Sequence, residues 1–397
     1  MSAQECARAC PMRKPHLALC LEYSVLGYGG TEVIVAELIR GLSRNFTISL
    51  VSSDQSLQGT WVESLISQHF RWDSTNPTRE SCKALAEQLA GVGVQLAHFH
   101  CGGAFAWGTR FIGRCPVGYT AKAGVICVTT VHSVVSLFSG YCGPRKPYWF
   151  KLLLLPVAWL GKAHVLSCLA AEIAVSKHDL KKLRLRYSPF AGRFQQIYHS
   201  RLHDTGERHP RSNTKVILNV GHVAWRKGQH LLAAAFARIA ARYPEWHLKF
   251  AGPILEEDCG EYIRHLAEQT GLQGRIELLG SRADTPELMR EASIYVQPSL
   301  QEALGLALQE ALWEGCACVG AQTGGIPELI THGENGLLFR AGDVASLACA
   351  LERLLSTPPL RDRFSSQGRA SITEKQMTAK EMTARHMELY GSLLSRT

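Results

Sequence analysis

The chain has 397 residues, of which 46% are hydrophobic and 19% charged; this composition excludes a disordered or fibrous protein, and the length calls for two packed cores rather than one. Lys and Arg outnumber Asp and Glu by 43 to 34, a formal charge of +9, which suits anionic ligands or a membrane surface. A nucleic-acid partner is not expected, since zinc-finger spacing, an Arg-rich arm and a basic and aromatic RNA signature are all missing.

The chain opens with a polar tail, residues 1–13, that carries Glu5, Arg8 and Arg13 and no apolar leader, so a cytoplasmic location is expected. The 13 Cys are odd in number, form no Cys-x-x-Cys pair, and include Cys20, Cys127, Cys316 and Cys318 inside apolar runs. They read as reduced core thiols.

Residues 14–200 form the first expected domain. Strands are predicted over 16–25, 47–51, 94–98, 125–131 and 172–175, with a helix over 31–43 whose apolar face is Ile34, Leu38, Ile39 and Leu42 and whose N-cap is Thr31. The longest apolar stretch, 148–175, is interrupted by Lys151, Pro156, Lys162, His164 and Glu172, so it lacks the ~20 clean residues of a spanning helix. It reads as a core helix followed by a strand. The alternative is a helix lying on a membrane surface, because Trp149, Phe150 and Trp159 stand among Arg145, Lys146, Lys151 and Lys162.

The polar segment 201–214, with Gly206 and Pro210, reads as a linker. A second domain, 215–374, repeats the alternation: strands over 216–220, 247–251, 275–279, 294–296 and 316–319, with helices over 229–242 and 261–269 between them. Residues 375–397 close the chain as one long helix. Strand and helix in alternation mean parallel sheets, so the fold class is α/β: two Rossmann-like, doubly wound domains whose strand ends face a central cleft. Gly27, Gly29 and Gly30 do not complete a dinucleotide-binding G-x-G-x-x-G, since no third glycine follows.

The chemistry is therefore sought in the turns after strands. Strand 216–220 runs into Gly221-His222-Val223-Ala224-Trp225-Arg226-Lys227-Gly228 and then a helix. Helix N-terminal amides beside cations suit a diphosphate; the other reading is a solvated turn. Strand 294–296 leads to Glu302, Gly305 and Glu310, the two carboxylates separated by seven residues in largely apolar surroundings. With Gly305 opening a helix, both can reach a ligand at its N-terminal end, where carboxylates accept hydrogen bonds from paired hydroxyls without a metal. Strand 316–319 ends in Gln322-Thr323-Gly324-Gly325-Ile326-Pro327-Glu328, a turn that lets backbone approach a ligand.

In order and spacing, these pieces resemble the retaining GT-B glycosyltransferases of family four (glycosyl transferases group 1). The likeness runs over 216–355 and is most specific over 299–339, SLQEALGLALQEALWEGCACVGAQTGGIPELITHGENGLLF. It implies transfer of a sugar from a nucleotide-diphosphate donor to an acceptor hydroxyl, with retention at the anomeric carbon. Lys227 would hold the diphosphate, Glu302 the donor sugar and Glu310 the ribose, helped by the amides of Gly305, Gly324 and Gly325. Glu328 is assigned no contact with the donor.

In the first domain, Gly29-Gly30-Thr31-Glu32 resembles the family's glycine loop facing the donor, and His132 its cleft histidine. His98 and His100, on a neighbouring strand end, read as core residues. Two departures from the family pattern stand out: His222 replaces the usual Arg after Gly221, with Arg226 close enough to compensate, and Tyr198-His199-Ser200-Arg201 replaces an Asn-Gly turn before the linker.

The implied partners are a UDP-, GDP- or ADP-sugar and a sugar or lipid-linked acceptor, such as those of surface polysaccharide or glycolipid synthesis, with peripheral contact at the inner membrane face. Neither a cofactor nor a metal is expected, because no Asp-x-Asp pair and no His and carboxylate cluster of ligand spacing occurs. A catalytically silent scaffold of this fold and a sugar-nucleotide epimerase remain the alternatives.

Overall fold

A computed structural model describes residues 14–27, 29–74, 77–101, 114–132, 155–204 and 214–396. The first sheet contains β1 (His16–Leu21), β2 (Thr47–Ser52), β3 (Gln68–Arg71), β4 (Leu96–Cys101), β5 (Ile126–Val131), β6 (Ala171–Ala174) and β7 (Phe194–Gln196), in the order β3-β2-β1-β4-β5-β6-β7. The second contains β8 (Val216–Val220), β9 (His247–Ala251), β10 (Ile276–Leu278), β11 (Ile294–Gln297), β12 (Ala317–Ala321) and β13 (Gly336–Phe339), in the order β10-β9-β8-β11-β12-β13. Every pairing is parallel; β1, for example, sets Leu19 beside both Leu50 and His98.

The ten expected strands are present, within a few residues at their ends. Three more, β3, β7 and β13, carry no sequence signal because each is an edge strand of three or four residues. Strand order reverses between β1 and β4 in one sheet and between β8 and β11 in the other, and these switch points are where ligands bind in such folds.

The helices cover both sheets. Apolar side chains from the two faces of the first sheet form two separate cores, while one larger core fills the second domain. The buried thiols Cys20, Cys127, Cys316 and Cys318 are not in disulfides. Helix Gly30–Leu42 starts one residue ahead of the expected N-cap: Gly29, not Thr31, is the cap, in extended conformation and without a side-chain bond. Its carbonyl accepts the Val33 amide at 3.1 Å, so Thr31 already lies inside the first turn.

The apolar stretch before β6 is a helix, Leu155–Cys168, followed by a strand; its earlier part, 148–154, lies outside the described residues, as does the tail 1–13. Two of the charges that interrupt the stretch pair with each other. Lys162 and Glu172 are 1% and 0% exposed and form an ion pair, and the Thr129 hydroxyl donates to the same carboxylate at 3.0 Å. A buried charge without such a partner would be strongly destabilising.

The chain end carries the expected closing helix, over Ala379–Leu394 rather than the whole of 375–397. Pro358–Glu374 stays with the second domain, Gln376 takes a left-handed φ of 55°, and a separate helix, Ala379–Leu394, returns to the first domain. There Met382, Tyr390 and Leu393 enter the core beside Ile34 and Leu38. Among the described residues no helix is long and apolar enough to cross a membrane.

This return packs a group of imidazoles. The His98 ring hydrogen-bonds the Tyr390 hydroxyl at 2.6 Å and the Thr130 hydroxyl at 2.7 Å, and it lies 4.0 Å from the His100 ring and 5.7 Å from that of His386. His199 stands 6.2 Å from His386. Burial first, then neighbouring imidazoles, push His98, His100 and His199 well below the ordinary range, and burial lowers His386 to about 4.

These imidazoles stay neutral in the fold but take up protons when unfolded, so the stability they confer is present above pH ~6.5 and is lost as pH falls below it. Urea unfolding between pH 6.5 and 5.5 is expected to lose more than the ~1.4 kcal/mol per pH unit that one such group gives, with a shallower slope in His386→Gln. A pH-independent unfolding free energy over that range would show that the cluster titrates in the native state.

Candidate active site

The site is built at the second switch point, from the loops after β8, β11 and β12. The first loop runs from Gly221 through a short turn, Trp225–Lys227, to Gly228, which opens helix Gln229–Ile239 with φ of 75°. A side chain at Gly228 would place its Cβ 2.1 Å from the Pro298 carbonyl oxygen, so only glycine lets the two loops meet. The Arg226 carbonyl accepts the Leu300 amide at 2.9 Å and joins them directly.

On the second loop, Glu302 Oε2 accepts hydrogen bonds from Lys227 Nζ at 2.8 Å, Ser299 Oγ at 3.0 Å and Gln297 Nε2 at 3.2 Å. Burial alone would raise this carboxyl. The Lys227 charge, the hydrogen bonds from Lys227 and Ser299, and the Arg226 charge bring it below its usual value, so it is ionised. Beneath it the Tyr295 hydroxyl donates to Gln297 at 2.7 Å. Gly305 then caps helix Leu306–Trp313, which carries Glu310.

The third loop closes on the second. Gly324 has φ of 56°, and a Cβ there would lie 1.6 Å from the Glu302 carbonyl oxygen; at Gly325 it would lie 2.5 Å from that of Ala303. Glu302 is thereby held by its side chain from one loop and by its backbone from the other.

Glu310 is not beside Glu302's partners: its carboxylate takes Arg201 Nε at 2.5 Å, from the segment expected to be a linker. Of that segment, Leu202 is buried in the second-domain core, and 205–213 lies outside the described residues. From the first domain, Gly30 approaches the same helix, since a Cβ there would sit 3.3 Å from Leu306 Cδ1. Tyr28 of this glycine loop is outside the described residues.

His132, just after β5, shares a 3.0 Å hydrogen bond with His100, which is fully buried, and lies 4.7 Å from the His199 ring. Burial, then His386, lowers it to about 3. His222 is lowered too, by burial first and then by Lys227 and Arg226. Both rings are uncharged at neutral pH, so the cations of the Gly221–Gly228 loop are Lys227 and the exposed Arg226.

Sequence reasoning did not single out Gln297 and Ser299 as a polar pair at a strand end, or Tyr198 and Arg201, which it flagged only as a departure from pattern. It also passed over Asp179, which is 1% exposed and whose carboxylate oxygens, among the described residues, meet no partner in good hydrogen-bond geometry. Burial, augmented by Glu328 and Glu302 and opposed by Lys182 and Ser176, raises it to about 7. Its signal, a lone acid in the first turn of a basic helix, is that of a surface residue.

Residues 204–371 match the family model described as Glycosyl transferases group 1. The D-inositol 3-phosphate glycosyltransferase of Corynebacterium glutamicum is 33% identical over 157 residues, 38% of each chain. The lipopolysaccharide core biosynthesis glycosyltransferase LpsE of Rhizobium meliloti is 29% identical over 161 residues, 41% of this chain and 45% of that protein. The chain thus matches less than half the length of these curated relatives. Among solved structures, HepE of Anabaena in complex with UDP and glucose superposes with a TM-score of 0.73 at 19% identity, over 95% of this chain and 100% of that one. The architecture is that of the GT-B glycosyltransferases.

The loop contacts make one glycine decisive. Gly324→Ala is expected to destabilise the protein by about 1–3 kcal/mol through backbone strain and displacement of the Glu302 loop. Gly91→Ala, whose Cβ meets nothing within 4 Å, serves as the control. Thermal unfolding of both variants checks this, and equal melting temperatures would contradict it.

Proposed function

We propose that this chain, whose residues 204–371 match the Glycosyl transferases group 1 family model, is a glycosyltransferase that moves a sugar from a nucleotide-diphosphate donor to an acceptor hydroxyl with retention. The observation that carries this reading is the ionised Glu302 with Lys227 at 2.8 Å, placed at the switch point beside two helix N-termini.

In this reading the diphosphate lies against Lys227, Arg226 and the amides of the Gly221–Gly228 turn, with His222 as an uncharged hydrogen-bonding neighbour. Glu302 accepts hydroxyls of the donor sugar, Glu310 those of the ribose, and Gly305, Gly324 and Gly325 offer amides to the donor oxygens. Gly29, Gly30 and His132 face the sugar from the first domain.

As the bond to the diphosphate breaks, positive charge grows on the sugar ring and negative charge on the leaving group. Preorganised cations and amides stabilise the latter more in the transition state than in the ground state. Glu302 is committed to hydrogen bonding and is already neutralised by Lys227, which sets this site apart from the acid and base carboxylates of glycoside hydrolases. In this reading Lys227 and the loop amides stabilise the leaving group.

A lipid-linked acceptor at the inner membrane face is supported by one surface. Helices Leu155–Cys168 and Lys177–Arg186 are joined by a 3.0 Å hydrogen bond from Trp159 to the Arg186 carbonyl. They expose Val157, Leu160 and Leu185, the last 81% exposed, beside Lys181 and Arg184. Apolar side chains flanked by cations fit an anionic bilayer surface.

Four outcomes follow. Lys227→Ala is expected to lower kcat and weaken donor binding together, by about 2–5 kcal/mol, the scale for truncating one member of a buried charge pair. Glu310→Ala is expected to act mainly on the donor KM, by about 1.5–3 kcal/mol. Steady-state kinetics separate the two, with the donor first chosen by screening UDP-, GDP- and ADP-sugars for thermal protection; near wild-type turnover in Lys227→Ala would refute the site. Turnover is expected to survive EDTA, and loss restored by Mn²⁺ or Mg²⁺ would overturn the metal-free scheme. Flotation with anionic liposomes at low salt is expected to retain the protein; failure to do so would point to a soluble acceptor.

A further inference from the structure

Helix Lys177–Arg186 follows β6 in the first domain, and its first amides are all satisfied. The Ser176 hydroxyl accepts the Asp179 amide at 3.1 Å, and the Ser176 carbonyl accepts that of Leu180 at 3.0 Å. The two amides that remain, Lys177 and His178, donate to Glu328 at 2.9 and 2.8 Å. Glu328 lies in the second domain, on the short helix Ile326–Leu329 that follows Gly324 and Gly325. Its carboxylate also accepts the Tyr198 hydroxyl at 2.8 Å. Burial and then this bond raise the Tyr198 phenol, which therefore keeps the proton it donates.

Three hydrogen bonds from the first domain and its connector thus converge on one carboxylate of the second. A carboxylate at a helix N-terminus is favoured by the helix dipole, and its hydrogen bonds are charge-assisted. The seam is close-packed beside them, where a Cβ on Gly325 would sit 3.1 Å from Ser176 Cβ. Three residues beyond Tyr198 on the connector, Arg201 holds Glu310.

We propose that Glu328 is a positioning residue: an interdomain latch that holds the first domain, with His132 and the acceptor side of the cleft, at a set distance from the loops carrying Lys227 and Glu302. Its kinetic consequence rests on the glycosyltransferase reading above, while the latch itself is read from these contacts alone. Since Lys227, Glu302 and Glu310 are all supplied by the second domain, loss of the latch leaves donor affinity nearly intact. It misplaces the acceptor relative to the sugar, and rates of positioned reactions fall steeply with such displacement.

The test compares Glu328→Ala, Glu328→Gln and Tyr198→Phe with the wild-type chain, circular dichroism confirming the fold. Glu328→Gln keeps one acceptor oxygen and Tyr198→Phe removes a single bond, so both serve if Glu328→Ala does not fold. Hydrogen exchange read by mass spectrometry over 176–186 is expected to speed up most in Glu328→Ala, less in Glu328→Gln. In Glu328→Ala, kcat is expected to drop roughly tenfold to a hundredfold, with the donor KM unchanged within about threefold, and Tyr198→Phe to lie between this and wild type.

Unchanged exchange in the variants would overturn the latch. Faster exchange with full kcat would reduce it to a structural contact and overturn the positioning role. A raised donor KM at constant kcat would place Glu328 in the donor site instead. If the wild type transfers from no donor, the functional reading fails, and the latch stands or falls on the exchange result.

Discussion

Three loops of the second domain close on one another at points where a side chain is missing. Gly228 meets the Pro298 carbonyl, Gly324 that of Glu302 and Gly325 that of Ala303, each at a distance that excludes a Cβ. The strand order of the sheet brings these loops to one place, and the glycines let them touch. Glu302 sits at the centre of the contact, its backbone pinned from one side and its carboxylate held by Lys227, Ser299 and Gln297 from the other. Geometry of this kind leaves a charged pair little freedom to reorganise, which is what electrostatic stabilisation of developing charge requires.

The interior carries more polarity than its apolar runs suggest, and each instance is met differently. Lys162 and Glu172 are charged and paired. The histidines around the returning C-terminal helix avoid the cost of burial by remaining neutral, hydrogen-bonded to Tyr390, Thr130 and one another. Asp179 avoids it by holding its proton to higher pH than a solvated acid. For the imidazoles and Asp179 desolvation is the largest influence on the protonation state.

The connector between the domains is where this chain departs most from the pattern it resembles, and the departing residues are those that make contacts. Tyr198 reaches Glu328, the His199 ring lies tilted against that of His132, and Arg201 holds Glu310. The replaced turn is therefore a set of bonds to the second domain and the histidine cluster, which ties the crossing of the chain to the carboxylates on the far side of the cleft.

Alternation of apolar strands with amphipathic helices was enough by itself to define two doubly wound domains, because periodicity follows directly from burial on a sheet or a helix face. The spacing of Lys227, Glu302, Gly305, Glu310, Gly324 and Gly325 likewise marked the loops, since each motif is local to one turn and its helix. What remained hidden depends on residues far apart in sequence: the short edge strands β3, β7 and β13, the pairing of Lys162 with Glu172, the return of Ala379–Leu394 to the first domain, and the capture of a first-domain helix by Glu328. A sequence records what one segment needs buried or capped. Only the tertiary structure decides which distant group meets that need, because the partner is chosen by the packing of whole domains.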